Sequence, residues 1–365
     1  MIVHDRFPLA DRTTLGVGGT ARHYIEFREE TELRDALAFA RDRGLPVFLL
    51  GGGSNVVLSS GVYPGVILSP QVRGIEVERI GNGRQRWTVG AAEEWDAVVR
   101  ASVERGLTGI ECLAGIPGRT GGTPVQNVGA YGQEVSETIR SVRAFDRETG
   151  QVAEIPGAEC GFAYRRSRFN HEEPGRRILL TVTFELCEGE TSALRYEDLR
   201  RYFGANATPT PEQTYHAVRE IRARKGMVSD PADPDTRSAG SFFKNPVLSA
   251  ERFEALRERA KRRGIDPVPN YPQPDGTVKL PAAFLMETAG LTRGQAFRDG
   301  RVALSTKHIL ALTNRGGATG EDIALTAREV QNRVRDAWEV SLAPEPVFVG
   351  FAENASLPDA ATVAR

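Results

Sequence analysis

Gly115-Ile116-Pro117-Gly118-Arg119-Thr120-Gly121-Gly122-Thr123-Pro124-Val125-Gln126-Asn127-Val128-Gly129-Ala130-Tyr131-Gly132 is the stretch that decides how this chain folds. Glycine loses more backbone freedom on folding than any other residue, at a cost of about 0.5–1 kcal/mol per interior position relative to alanine. Such density inside a folded protein needs an offsetting gain, and close backbone packing around a flat, phosphate-bearing cofactor supplies one. The plain alternative is a disordered linker. Ile116, Val125, Val128 and Tyr131, interleaved with the glycines, argue against it, because linkers carry few side chains to bury.

A second glycine loop stands earlier in the chain. The apolar run 47–50 leads straight into Gly51-Gly52-Gly53-Ser54-Asn55, where bare amides and small polar side chains can meet phosphate oxygens. It is no P-loop, since Gly-Lys-Ser/Thr does not follow. Gly16-Val17-Gly18-Gly19-Thr20-Ala21 fits the spacing of a dinucleotide fingerprint, but no strand precedes it and a strand, not a helix, follows. It is rejected as a Rossmann site.

Outward from these loops the chain has the texture of a globular protein. Its 365 residues are enough for two or three domains, and 40% hydrophobic with 26% charged residues is ordinary. A formal net charge of −1 gives no basic excess to point to nucleic acid. Met1-Ile2-Val3-His4-Asp5-Arg6 lacks the layout of a signal peptide, and no apolar run reaches the roughly 18 residues of a membrane span. Cys112, Cys160 and Cys187 are far apart with no CxxC pair, which predicts thiols in a reducing compartment and neither disulfides nor a metal site. The expectation is a cytoplasmic protein with no membrane partner.

The spacing predicts strands at 24–27, 47–50, 66–68, 87–89, 141–145 and 178–184. It predicts a helix capped by Thr31 and stopping at Gly44, and another from about Glu93 to Arg105. Beyond residue 200 helices dominate, at about 211–224, 249–263 and 319–338. In the last, Thr319 and Asp322 are set as a capping box and Ile323, Ala327, Val330, Val334 and Trp338 form an apolar stripe. Strands and helices mixed without strict alternation indicate α+β. The expected divisions are residues 1–70, 71–200, 201–350 and a tail over 351–365.

One stretch of the later half has the look of a site. In Gly240-Ser241-Phe242-Phe243-Lys244-Asn245-Pro246, read as a strand, Ser241, Phe243 and Asn245 face one way and Phe242 and Lys244 the other. A hydroxyl and an amide on one side of an aromatic-walled strand suit a pocket edge. An ordinary half-buried edge strand is the alternative on this stretch alone.

The combination of Gly-Ile-Pro-Gly with Pro-Val-Gln-Asn-Val-Gly-Ala-Tyr-Gly closely resembles the FAD-binding loop of the UDP-N-acetylenolpyruvoylglucosamine reductase (MurB) family, part of the PCMH-type flavoprotein superfamily. The resemblance runs from about residue 13 to 350. It also takes in Thr14-Leu15-Gly16-Val17-Gly18-Gly19, the 51–55 loop, Tyr164-Arg165-Arg166-Ser167-Arg168-Phe169, Lys225, the 240–246 stretch and Pro344-Glu345-Pro346-Val347-Phe348-Val349-Gly350. It implies a PCMH-type region of two subdomains, 1–70 and 71–200, gripping non-covalent FAD, followed by a C-terminal α+β substrate-binding domain. It implies the activity as well: NADPH reduces the flavin, which reduces UDP-N-acetylglucosamine enolpyruvate to UDP-N-acetylmuramate for peptidoglycan, in a monomeric enzyme.

By the same resemblance, Gly51, Gly52, Gly53, Ser54, Asn55, Gly115, Ile116, Pro117, Gly118, Gly122, Thr123, Asn127, Gly129 and Ala130 bind the cofactor. Ser241 is the proton donor, and Arg165 and Glu345 polarise the substrate carboxylate. Tyr164, Tyr196, Lys225 and Asn245 bind substrate, Lys225 and Asn245 being suited to the diphosphate. The residue types fit this chemistry. An enol ether conjugated to a carboxylate accepts hydride at its methylene carbon, and the enolate charge that develops needs a guanidinium beside it and an acid to protonate it. Glu345 would act protonated or through a shared proton.

The chain departs from the family pattern in three places. Pro346-Val347 replaces a charged or β-branched pair, the loop between Lys225 and Ser241 is long and acidic, and Arg119-Thr120 replaces apolar residues. None of these removes a catalytic residue. Two other readings are a different FAD oxidase or dehydrogenase of the superfamily, and a catalytically dead FAD- or nucleotide-binding protein. Neither needs Ser241, Arg165 and Glu345 together.

Overall fold

The protein is described by a computed structural model covering residues 1–189 and 194–364. Contacts divide the chain into two compact units made of interleaved pieces. The first comprises Met1–Phe7, Ala21–Gly53 and Pro64–Ser229; the second comprises Pro8–Thr20, Ser54–Tyr63 and Asp230–Arg365.

In the first unit, five antiparallel strands pair in the order Val152–Pro156, Ile139–Asp146, Arg177–Glu188, Arg84–Gly90 and Ile75–Gly81. Arg177–Glu188 is buried along nearly its whole length and serves a core on each face. Ile178 and Leu180 join Leu33, Ala36 and Ala40 of the helix Glu30–Asp42, while Leu179, Val182, Phe184 and Leu186 join Trp95, Val98 and Val99. An extra residue opposite Arg143 and Ala144 shifts the alternation, so that Leu179 and Val182 share a face. A second sheet runs Ile2–Pro8, Thr20–Phe27, Val62–Pro70, Val47–Leu49, the last pair parallel.

Some elements differ from the sequence expectation. The first helix is entered through Glu29, whose backbone is extended, while the Thr31 hydroxyl sits inside the first turn and donates to the Glu29 carboxylate. The helix expected over 93–105 is shorter, Trp95–Val103, because Glu94 is extended and the Trp95 amide donates to the Gly118 carbonyl at 3.0 Å. Pro211–Arg224 forms as expected, but its stripe Tyr215, Val218 and Ile221 fills the first unit's core beside Trp95, so the contact boundary falls after it.

The second unit is held by a core that includes Phe242, Phe243, Phe348 and the helix Gly320–Trp338. That helix carries the expected stripe and capping box: Thr319 Oγ1 accepts from the Asp322 amide and Asp322 from the Thr319 amide, both at 3.1 Å. A three-stranded sheet places Val347–Val349 parallel to Val56–Leu58 and to Thr362–Ala364. Among the described residues no helix is long and apolar enough to cross a membrane.

The first unit also contains a buried ionic cluster. Asp146 accepts from Arg176 at 2.7 Å and pairs with Arg177; Glu173 accepts from Arg168 and Arg177, each at 2.9 Å. The Arg176 hydrogen bond, outweighing burial, holds Asp146 well below the carboxylate range, and Arg168 and Arg177 hold Glu173 at about 2. The stability these carboxylates contribute is present above their ordinary pKa values of 3.8 and 4.5 and is lost as pH falls towards the lowered ones. Denaturant melts should therefore show stability declining from about pH 4.5 to 2. In Asp146→Asn that decline should be shallower, from a lower starting value at pH 7.

Candidate active site

The glycine-rich loop lies on the start of the helix Trp95–Val103. The Thr120 amide donates to Glu93 and the Gly121 amide to Ala91, both at 2.9 Å. Asp96 fixes the loop's entry: its carboxylate accepts from the Gly115 amide at 2.6 Å, from Tyr215 at 3.3 Å and from Arg219. Arg119, unexpected here from the family pattern, donates to the Pro70 carbonyl at 2.8 Å and so staples the loop to a strand end. The two glycine loops meet backbone to backbone. A Cβ on Gly52 would lie 2.7 Å from Gly118 Cα, closer than real Cβ atoms come, whereas at Gly51 and Gly122 it would meet nothing within 4 Å. Ile116 and Ala130 pack on the core. Gly53 stays with this unit, but Ser54 and Asn55 belong to the other.

Several sequence-predicted cofactor residues have local tasks. Thr123 turns its hydroxyl to the Thr120 carbonyl at 2.8 Å. Asn127 accepts from the Ser136 amide and donates to Glu134 and to the Ala163 carbonyl, so it shapes the loop. Asn55 donates through its side chain to the Glu345 carbonyl at 3.2 Å, and its own carbonyl accepts from the Val347 amide at 3.0 Å.

The far end of the loop gathers the basic and aromatic residues. Asn127, Tyr131 and Arg165 all take left-handed backbone, with φ of 42°, 49° and 54°. Non-glycine residues held so cost about 1–3 kcal/mol each and concentrate at functional sites. Arg165 donates to the Gly129 carbonyl at 3.0 Å and stacks at 5.4 Å on the exposed ring of Tyr164. Around it, Arg166, Arg168, Arg176 and Arg177 are ion-paired with Glu172, Glu173 or Asp146. The basic cluster of the sequence is thus mostly neutralised. Tyr196 meets Tyr131 edge to face at 5.3 Å. Lys225, which closes the helix Pro211–Arg224, pairs with Asp198 at 2.6 Å and lies 5.8 Å from the Tyr131 ring.

Arg222 escaped the sequence reading. Its guanidinium is buried, which pushes its pKa down, and one nitrogen donates to the Met227 carbonyl at 2.9 Å. Its Nε has no hydrogen-bond partner among the described residues and lies 3.6 Å from where a Gly115 Cβ would stand. A buried donor without an acceptor is costly, which makes it a marker of a missing ligand. The available signal was its place three residues before Lys225, on the same helical face.

In the second unit, 240–246 is not a regular strand. Gly240 has φ +72°, a left-handed turn with open space at its Cβ position, so glycine is there for conformation and not for close approach. The segment threads between two others. Phe242 donates to Leu310 at 2.8 Å on one side; on the other, Lys244 donates to Ala343 at 2.9 Å and the Glu345 amide to Phe242 at 2.8 Å. Partners on both sides bury Phe242 and Phe243 alike, in place of the half-buried edge. Ser241 Oγ lies 3.0 Å from His308 Nε2, and Asn245 Oδ1 accepts from the Ala282 amide at 2.9 Å. Ser241 and Glu345 are therefore brought onto neighbouring segments of one unit, while Arg165, Tyr164, Tyr196 and Lys225 belong to the other.

Comparison with known proteins assigns both units. A family model for an FAD binding domain matches residues 21–155, and one for the C-terminal domain of UDP-N-acetylenolpyruvoylglucosamine reductase matches residues 231–349. The UDP-N-acetylenolpyruvoylglucosamine reductase of Streptomyces coelicolor is 45% identical over 357 residues, covering 96% of this chain and 91% of the relative. The chain belongs to the UDP-N-acetylenolpyruvoylglucosamine reductase family. The Thermobifida fusca reductase is 43% identical over 94% of this chain and 97% of its own length. The crystal structure of MurB from Thermus caldophilus superposes with a TM-score of 0.63 at 25% identity, covering 95% of this chain and 99% of that one. The α+β, PCMH-type reading of the fold stands.

Both glycine loops fall within the FAD-binding match, and their features fit that group: backbone left open at Gly51 and Gly122, and the buried Arg222 donor beside Gly115. Gly52→Ala should force the loops apart. We expect the purified variant to fold but to hold FAD at least about 10-fold more weakly in a fluorescence titration, a loss on the scale of one overpacked contact.

Proposed function

We propose that this protein reduces UDP-N-acetylglucosamine enolpyruvate to UDP-N-acetylmuramate in peptidoglycan precursor synthesis, as an FAD enzyme using NADPH. The observation that carries this is near full-length similarity, at 45% identity, to a reductase of that name. Supporting it locally, the first unit holds an FAD-binding match and the second a reductase C-terminal match. The protein works in the cytoplasm, where its substrates are made, as a monomer independent of membranes. Residues 1–70 and 71–200 grip the cofactor, and 201–350 supply most of the substrate site.

When bound, FAD supplies hydride transfer from NADPH to the methylene carbon of the enolpyruvyl group. Gly51, Gly52, Gly53, Gly115, Gly118 and Gly122 would hold it by backbone, and Arg222 would offer its unpartnered Nε to an acceptor. Arg165, anchored to the Gly129 carbonyl, offers its guanidinium to the substrate carboxylate as charge develops. Glu345, its backbone pinned by Asn55 and Phe242, shares a proton with the enolate oxygen. Ser241 gives its proton to the carbon alpha to the carboxylate. A serine is a weak acid, so this requires a strongly basic carbon and a fixed geometry. Lys225 leaves Asp198 for the substrate diphosphate, Asn245 adds a donor, and Tyr164 and Tyr196 flank the substrate.

The purified protein should be yellow, bleach with NADPH and recover its colour with the enolpyruvyl nucleotide sugar; failure of that last step sinks the assignment. Ser241→Ala should leave bleaching by NADPH within about 3-fold of wild type while slowing recolouring by roughly 100-fold or more, the scale of general-acid catalysis. Equal losses in both halves would remove Ser241 from the role of acid.

A further inference from the structure

His308 has no part in the proposed chemistry so far, yet it lies against the proposed acid. Its Nε2 is 3.0 Å from Ser241 Oγ, across 67 residues of sequence. The contact is built. Ser305, fully buried, accepts the amides of Lys307 at 3.1 Å and His308 at 3.2 Å through its hydroxyl, and the His308 carbonyl accepts from Ala311 at 3.0 Å. Two residues on, the Leu310 carbonyl accepts the Phe242 amide, so the turn bearing His308 is hydrogen-bonded to the residue next to Ser241. Asp235, from the long acidic loop, holds the other side of the turn. Its buried carboxylate accepts the Thr306 amide at 3.0 Å and the Thr306 hydroxyl, and Arg315 neutralises it. Lys307 reaches Asp233 of the same loop at 2.6 Å. The departure at 229–238 thus has a structural use, bracing the turn that carries the imidazole.

A serine hydroxyl has one proton. If that proton is to reach the substrate carbon, the hydrogen bond to His308 must run the other way, from Nε2–H to Oγ. So directed, the imidazole aims the hydroxyl proton away from itself and stabilises the oxygen as its bond to hydrogen breaks. We propose that His308 is the positioning residue of the acid, donating from Nε2 to Ser241 Oγ during proton delivery. The O–H bond of Ser241 breaks, a C–H bond forms alpha to the carboxylate, Oγ carries the charge under the Nε2–H hydrogen bond, and one proton from water restores the hydroxyl. No electrons move in this step. The inference rests on Ser241 being the acid.

The test is stopped-flow measurement of the two half-reactions in FAD-loaded Ser241→Ala, His308→Ala, His308→Gln and the Ser241→Ala/His308→Ala pair. His308→Ala should reduce with NADPH near the wild-type rate and recolour roughly 10–100-fold more slowly, the worth of a hydrogen bond to a developing charge, with substrate affinity little changed. His308→Gln, whose amide N–H can donate to Oγ, should recover most of that loss. The double variant should be no slower than Ser241→Ala alone, because His308 acts through the serine. Slowing of both halves alike, no recovery with glutamine, a purely affinity-based defect or additive losses would each overturn the proposal. A Ser241→Ala that recolours normally would instead overturn the assignment of the acid itself.

Discussion

The close approach of Gly52 to Gly118 is the constraint around which the first unit is organised. Two chain segments more than sixty residues apart in sequence meet with no side chain between them, so Gly52 tolerates no Cβ without a shift of backbone, and Gly118 opposite it has φ of 122°. The hydrogen bonds that hold the loop at that distance come from Glu93, Ala91 and Asp96 at the start of a helix whose first amide the loop itself accepts. The loop and the helix start therefore define each other. The cost of so many glycines is offset in part by this mutual closure, while the backbone at Gly51 and Gly122 is left open.

The second unit solves a related problem without glycine density. Ser241 sits on a segment with no regular strand pairing, yet Phe242 and Phe243 are both buried and neighbouring amides are paired on both sides. Placement here comes from a turn at Leu310 on one side and an extended segment bridged through Pro344 on the other, and not from a regular sheet. Regular secondary structure would commit alternate side chains to one face, whereas threading a segment between two partners frees Ser241 and Asn245 to meet groups from different elements. Precise placement of a weak acid is what makes it usable.

Much was legible in the sequence where the signal is local. The helices Pro211–Arg224, Ala250–Arg262 and Gly320–Trp338 follow from caps and apolar periodicity, and the capping box of Thr319 and Asp322 was readable from two residue types at fixed spacing. Thr31 misled because two acids precede it and a residue in the first turn can serve a neighbouring side chain as well as the backbone. In Arg177–Glu188 the sequence shows a strand buried on both faces, but the register slip within it leaves no mark in a run of apolar residues. The side-chain amides of Asn55 and Asn127 donate to protein carbonyls and a carboxylate, partners that only folding supplies.

The sequence by itself determined the chemistry on offer: two glycine loops, a serine, an arginine and a glutamate in a recognisable order, and the α+β class that carries them. Their order reveals a family because spacing along a chain survives in the letters. Tertiary structure alone decided which of those groups have partners. Arg165 donates to a backbone carbonyl, Arg222 keeps a buried Nε without a partner among the described residues, and Ser241 meets His308 across 67 residues. Hydrogen bonding and burial depend on distances between residues remote in sequence, and a linear string holds no measure of those distances.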